Sequence, residues 1–457
     1  MSEMQRASCS FERTRRIAPR RSAARLSEPR ALLVAVVLAL IALAPSPAVD
    51  ARLLSGQPGA KQNTDDAAPA EDGNDERAEP AQLLERGLAP VTPLRGGKPE
   101  REELGELWQR YAEAPSSINR DETEDECGNG GPFEWQLEWN ENRGGRVQTG
   151  ALTFPSAVAY GTEANRTVHA AIYRPADAAV PNNGGNAAND SEQDGSEEVD
   201  GDGAPGQLPA VVLLHHLEDD QRAERLVANF FAMRGYVAAL LYFPHYGPRG
   251  ADGRPDEREM MRALIGSDFP KVAQAVWDVH RLRDWLRAQE YVDDSEISLM
   301  GISLGGLVGS LSAGIDPGFS RYVFVLAGGD IARVIFNGSN ETQWLLEQVR
   351  EEGLTEEDLR ERVRPVDPCT FAHRIDGSRV LMFNTKEDEV IPPACTEALI
   401  EAIHGKPTVH WFPGNHTAVR GRFAELLQLA YEFVESPVGE RAEAEPTPDD
   451  GDVEEAE

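Results

Sequence analysis

Two short runs of this chain contain only apolar residues: Val211-Val212-Leu213-Leu214 and Val237-Ala238-Ala239-Leu240-Leu241. A strand with one wet face must alternate apolar and polar side chains, so unbroken runs of this length read as strands buried on both faces. Such strands belong to parallel sheets, whose neighbouring strands must be joined by crossovers, usually helices. The surrounding sequence supplies them. Strand-like runs occur at 151–154, 168–173, 210–214, 237–242, 297–300, 322–326, 380–383 and 409–411. After the first two, amphipathic segments at 221–234, 269–289, 305–313, 395–404 and 421–435 fall between most of them. The pattern predicts an α/β chain with a mainly parallel central sheet of about eight strands and helices on both faces.

What lies outside this pattern differs in kind. In residues 1–50 an Arg-rich stretch (Arg13, Arg15, Arg16, Arg20, Arg21, Arg25, Arg30) precedes an apolar run at 31–44 that ends at Pro45 and Pro47. That run has the length of a signal-peptide core and falls short of the roughly 17 to 25 residues a bilayer span takes. Ser46 with Ala48, or Val49 with Ala51, offer cleavage sites. The expectation is export to the periplasm, envelope or exterior, with an uncleaved signal anchor as the one route to a membrane. Residues 51–126 are acidic and poor in large apolar residues and read as a disordered linker, with one amphipathic helix at 102–111. The folded domain is expected over 127–436. It carries a disordered insertion at 177–207 and a lid-like insertion at 330–374, followed by an acidic disordered tail at 437–457. Inside the second insertion, a helix at 343–351 and a stop at Gly353 precede the capping-box sequence Thr355-Glu356-Glu357-Asp358.

The net charge of -33 is spread over these acidic stretches. A basic face for nucleic acid is therefore excluded, and the acidity reads as solvation of exposed segments. Cys9 belongs to the leader, leaving Cys127, Cys369 and Cys395. An odd count rules out complete internal pairing; Cys369 and Cys395 flank one predicted strand and could bridge. No Cys/His spacing suggests a metal site.

Chemistry concentrates at Gly301-Ile302-Ser303-Leu304-Gly305, followed by Gly306. A strand-like run precedes it and a small-residue helix start follows. In that context G-x-S-x-G reads as a nucleophile elbow, a strained turn that lifts the serine clear of the sheet. Such a serine needs a base, and the base needs an acid to orient it. His404 closes a helix, where its natural role is at the helix dipole. His410 alternates within a strand. His416, after Pro413-Gly414-Asn415, sits on a loop past a strand end and is the candidate base. For the acid, Asp388 lies in the loop after 380–383, with Glu387, Glu389 and Asp330 as competitors. Arg249 and Arg254, after the strand-like run 237–242, are read as a solvated loop or as contacts for an anionic substrate.

The order Ser303, Asp388, His416 carries a resemblance. Residues 284–306, the run Asp388-Glu389-Val390-Ile391-Pro392 and Gly414-Asn415-His416 resemble the elbow, acid loop and histidine loop of the α/β-hydrolase superfamily. The dienelactone-hydrolase-like and acetyl-esterase-like branches are the nearest in pattern, over about 151–435. The resemblance implies a serine hydrolase that cleaves carboxylic esters, small or polysaccharide-linked, through an acyl-enzyme and without a cofactor. A prolyl-oligopeptidase-like peptidase and a catalytically silent binding protein are the alternatives. It also implies an oxyanion hole from the N–H of Leu304 and that of Leu217. At the second position the family has His-Gly before the donor, whereas this chain has His215-His216-Leu217. His215, His216 and Tyr246 are thereby candidates for the substrate pocket.

Overall fold

The computed structural model describes residues 83–90, 108, 132–178 (without 143 and 159), 206–217, 221–250, 262, 269–339 and 342–436. The leader and the tail lie outside the described residues, as do most of the linker and of the first insertion, and Cys127. Ten strands are described: β1 (Leu83–Ala89), β2 (Phe133–Trp139), β3 (Val147–Pro155), β4 (Thr167–Pro175), β5 (Leu208–Leu214), β6 (Val237–Leu241), β7 (Val292–Ile302), β8 (Tyr322–Val325), β9 (Val380–Thr385) and β10 (Thr408–Phe412). They form one sheet in the order β1-β2-β3-β4-β6-β5-β7-β8-β9-β10. The pairs from β1 to β4, and β4 with β6, are antiparallel. From β6 through β5, β7, β8 and β9 to β10 every pair is parallel.

The apolar runs behave as their composition requires. In β5, Val212 and Leu214 join one core cluster while Val211 and Leu213 join another on the opposite face; in β6, Ala239 and Leu241 oppose Ala238 and Leu240 likewise. The first cluster is closed by α2 (Phe269–Arg287) and α3 (Leu304–Ile315). The second is closed by α1 (Arg222–Ala232) and α8 (Phe423–Glu435). The lid-like insertion holds α4 (Ile331–Asn337), α5 (Gln343–Glu351) and α6 (Glu356–Val363), and α7 (Pro393–Ala402) follows β9. Thr355 caps α6 as its sequence predicts. Its hydroxyl accepts from the Asp358 N–H at 3.2 Å, and Asp358 Oδ2 accepts from the Thr355 N–H at 3.0 Å.

Two strands exceed the expected eight, and both have physical reasons for being overlooked. In β2, Phe133, Trp135, Leu137 and Trp139 point inward while Glu134, Gln136 and Glu138 are exposed. That period-2 alternation is legible but precedes the continuous runs that define the pattern. β1 falls within the stretch read as linker, and that reading fails for 83–89. Gly87 faces Trp135 across the ladder, and a Cβ there would lie 2.7 Å from the indole. The strand places Glu85, Gly87 and Ala89 on its inner face and leaves Leu84 and Leu88 exposed, so its apolar residues do not mark the face that packs. Trp108, in the same stretch, is helical and fully buried; its indole donates to the Pro365 carbonyl at 3.1 Å and meets Phe371 edge-on. Cys369 and Cys395 are free thiols rather than a bridge.

Arg249 is neither solvated nor a substrate contact. It is completely buried, 2.8 Å from the equally buried Asp278 of α2. Its guanidinium also donates to the Tyr242 carbonyl at 3.0 Å, and Asp278 accepts from Ser156 Oγ at 2.6 Å. The loop after β6 is thereby pinned to α2 and to the end of β3. Arg254 lies outside the described residues.

Removing one member of such a pair strands a charge in a dry site. Asp278→Ala is expected to cost about 3–5 kcal/mol in urea unfolding, with much of it recovered in the double change Arg249→Met, Asp278→Leu. A single variant within about 1 kcal/mol of wild type would contradict this account.

Candidate active site

The elbow is built from close backbone approach. Ser303 follows β7 and caps α3 with φ 52° and ψ −111°, a conformation L-residues rarely hold. Its N–H donates to the Val325 carbonyl of β8 at 2.8 Å, which holds the turn against the sheet. A Cβ on Gly301 would lie 2.1 Å from the Gly305 carbonyl oxygen, and one on Gly305 would lie 2.3 Å from that of Leu214. No side chain fits at either position. The two glycines let the turn cross tightly over the end of β5 with Ser303 at its apex.

His416 begins the 3-10 turn after β10, and its Nε2 stands 3.0 Å from Ser303 Oγ. Its Nδ1 lies 2.9 and 2.8 Å from the two oxygens of Asp388. A carboxylate only accepts, so Nδ1 carries a proton and Nε2 is free to accept from the serine. Asp388 is held in turn by the N–H groups of Val390 and Ile391 at 2.9 and 2.8 Å and by the Thr385 hydroxyl at 3.3 Å. Its neighbours separate cleanly from it. Glu389 accepts from the His416 N–H at 2.9 Å, and Glu387 accepts from the Gly414 N–H. Both brace the histidine loop instead of touching the ring. Asp330 caps α4 and pairs with Arg333 and Arg360 at 3.3 and 3.1 Å. His410 stacks on Phe383 and Phe412, and the His404 carbonyl accepts from the Gly377 N–H at 2.7 Å.

Ser303 and His416 open into a cavity of about 200 Å³, whose lining includes Leu304, Leu217 and His216. The N–H of Leu304 starts α3 and lies in the first turn, where an α-helix offers no internal acceptor.

Three comparisons bear on this arrangement. A family model described as the prolyl oligopeptidase family matches residues 271–436, from α2 to the end of α8. Acetyl xylan esterase 1 of Thermoanaerobacterium sp. JW/SL YS485 superposes with a TM-score of 0.50 at 20% identity, covering 75% of this chain and 95% of that one. This chain has the α/β-hydrolase fold. An acetyl xylan esterase of Paenibacillus sp. R4 gives a TM-score of 0.47, also at 20% identity, covering 64% of this chain and 88% of that one. An uncharacterized protein of Mycobacterium tuberculosis strain H37Rv is 28% identical over 226 residues, 47% of this chain. The match spans about half of that relative, 51% of its length.

Within the hydrolase fold, the segment after β5 departs from expectation. His215 is not a pocket residue. It is fully buried, its Nε2 accepts from the Phe243 N–H at 3.1 Å, and Nδ1 sits 2.6 Å from the His216 carbonyl. These bonds fix a neutral ring that fastens the loop to the strand end beside it. Tyr246 is likewise buried, packed on His215 at 4.6 Å between ring centroids, and does not line the cavity. His216 does line it. Glu224 of α1 accepts from the His216 N–H at 3.0 Å and faces its Nδ1 at 2.6 Å. Burial alone would raise the Glu224 carboxyl; hydrogen bonds and charge from His216 outweigh it and hold the group below its ordinary value. Where the family has a glycine, this chain thus has a side chain clamped twice by one buried acid. Glu224 was not identified from the sequence, although a signal exists. It occupies the inward stripe of α1 with Val227, Ala228 and Phe231, and an acid on an apolar stripe calls for a partner.

The lowered Glu224 carboxyl fixes the sign of a pH effect. Its contribution is complete above the ordinary carboxylate range and is lost as pH falls through the lower folded value. Glu224→Gln, which keeps an acceptor but not the charge, is expected to cost about 1.5–3 kcal/mol at pH 7. Its deficit relative to wild type should shrink as denaturation is repeated below pH 4.5. A deficit that stays constant well below pH 4.5 would refute the clamp.

Proposed function

We propose that this protein is a serine hydrolase that cleaves carboxylic esters through an acyl-enzyme. The observation that carries the reading is the unbroken relay from Ser303 Oγ through His416 to Asp388, at 3.0 Å and then 2.8 Å, opening on a cavity. In this mechanism Ser303 Oγ attacks the ester carbonyl carbon while His416 Nε2 takes its proton. Asp388 keeps the other nitrogen protonated and stabilises the imidazolium. The carbonyl oxygen gathers negative charge, which the N–H groups of Leu304 and Leu217 receive. Collapse breaks the bond to the alkoxy group, and His416 returns the proton to the leaving alcohol. Water then attacks the acyl-enzyme with the same histidine as base, releasing the acid and restoring Ser303. Every proton is accounted for within this set, and no cofactor enters.

One observation favours a second reading. The family match over 271–436 is to the prolyl oligopeptidase family, so cleavage of a peptide amide by the same relay is the alternative. The two differ in the leaving group that His416 must protonate. Export of the chain through its leader remains part of the proposal, supported by the apolar run at 31–44 after an arginine-rich stretch.

A fluorophosphonate probe is expected to label the wild type at one residue, and Ser303→Ala to abolish labelling. Folded wild-type protein that resists the probe would sink the hydrolase reading. Asp388→Asn is expected to lower kcat on the order of 10⁴-fold, because the amide favours the wrong imidazole tautomer. Chromogenic esters set against peptide anilides then decide between the readings: turnover confined to the anilides would favour the peptidase.

A further inference from the structure

The cavity beside Ser303 has a composition that acyl transfer alone does not require. Its walls contributed by α1, β7, β8 and α8 carry no polar side chain: Val227, Met300, Val325, Phe423, Leu426 and Leu427 are among them. Five of these, all but Phe423, are buried and belong to the apolar cluster between the sheet and the pair α1 and α8. These residues form one apolar wall of the space; His216, Thr342, Thr417 and Arg420 also line it. Protein interiors are normally packed to crystal-like density, and a void among such residues forfeits dispersion contacts. Water gains little against that wall, since it needs two to four polar partners. An opening of about 200 Å³ kept beside a serine is thus a space shaped for an apolar group. An acetyl group would leave most of it empty.

We infer that this cavity is an acyl-chain subsite, and that the substrates are esters of medium-length, unbranched apolar acids. The inference rests on the serine-hydrolase reading and adds the chemical class of the acyl group. The carbonyl lies at Ser303, and the alkyl tail extends between α1 and α8 towards Val227 and Leu427. Each methylene drawn from water into such a site favours binding roughly fourfold, the ratio given by about 0.8 kcal/mol per buried CH₂. Selectivity should climb with chain length until the inner wall is reached and then fall.

The test uses the whole protein and two homologous series. Alkyl fluorophosphonates with ethyl, butyl and octyl chains report the rate of Ser303 modification by intact mass. Chromogenic acetyl, butyryl and octanoyl esters report kcat/KM. Both are expected to rise at least tenfold from the shortest to the longest member. Leu427→Trp and Val227→Phe, which fill the inner end, should each reduce that long-to-short ratio at least tenfold, with thermal unfolding as the check on folding. Should either variant fail to fold, the wild-type series decides. Ser303 labelled at equal rates by every chain length overturns the subsite and leaves the hydrolase reading standing. So does a long-to-short ratio unchanged in a folded variant. Absence of labelling by every member overturns the hydrolase reading, and the subsite with it.

Discussion

The arrangement depends on one close contact, the crossing of Gly305 over the carbonyl oxygen of Leu214, where a Cβ would lie 2.3 Å away. That approach seats the start of α3 directly on the end of β5. It holds Ser303 at positive φ and brings the loop after β5 alongside it. A methyl group at this point would force the helix off the sheet. The serine, the Leu304 N–H and the segment from His215 to Leu217 would then separate. The strain at Ser303 persists because the ladder of β7 and the Val325 carbonyl over-determine it.

The acid loop shows a division of labour among three consecutive carboxylates. Asp388 alone reaches the imidazole, because the turn into Val390 and Ile391 aims two N–H groups at it. Glu387 and Glu389 instead fasten the backbone that carries His416. His416 is thus positioned twice, through its ring by one acid and through the main chain of its loop by the others. His216 receives comparable treatment from a single acid, Glu224, which grips both its backbone and its ring.

Much of this was legible in the sequence because it rests on local physics. Continuous apolar runs mean strands buried on both faces, and two glycines around a serine mean a turn too tight for side chains. A histidine and an acid past strand ends mean a relay. What stayed illegible involves partners far apart in the chain. Nothing local announces that Arg249 will be sealed against Asp278, or that Glu224 will answer His216. β1 was missed because complementarity is shared: Trp135 supplies the bulk and Gly87 the space, and only the pair looks like structure. Of the three candidates for the pocket wall, His216 lines it, whereas His215 and Tyr246 are held inside the scaffold by hydrogen bonds and ring packing that spacing cannot reveal.

Trp108 gives the acidic N-terminal stretch a different meaning. By composition the folded part begins at about 127, and a boundary drawn there would look clean. Yet the indole of Trp108 fills a site beside Phe371 and Pro365, in the insertion that also lends Val334 and Thr342 to the cavity wall. The strand at 83–89 meanwhile covers the outer edge of β2. Without these residues a sheet edge would be bare and the Trp108 site in the insertion would be empty. The segment therefore packs on the hydrolase fold at two separate places, a sheet edge and the insertion.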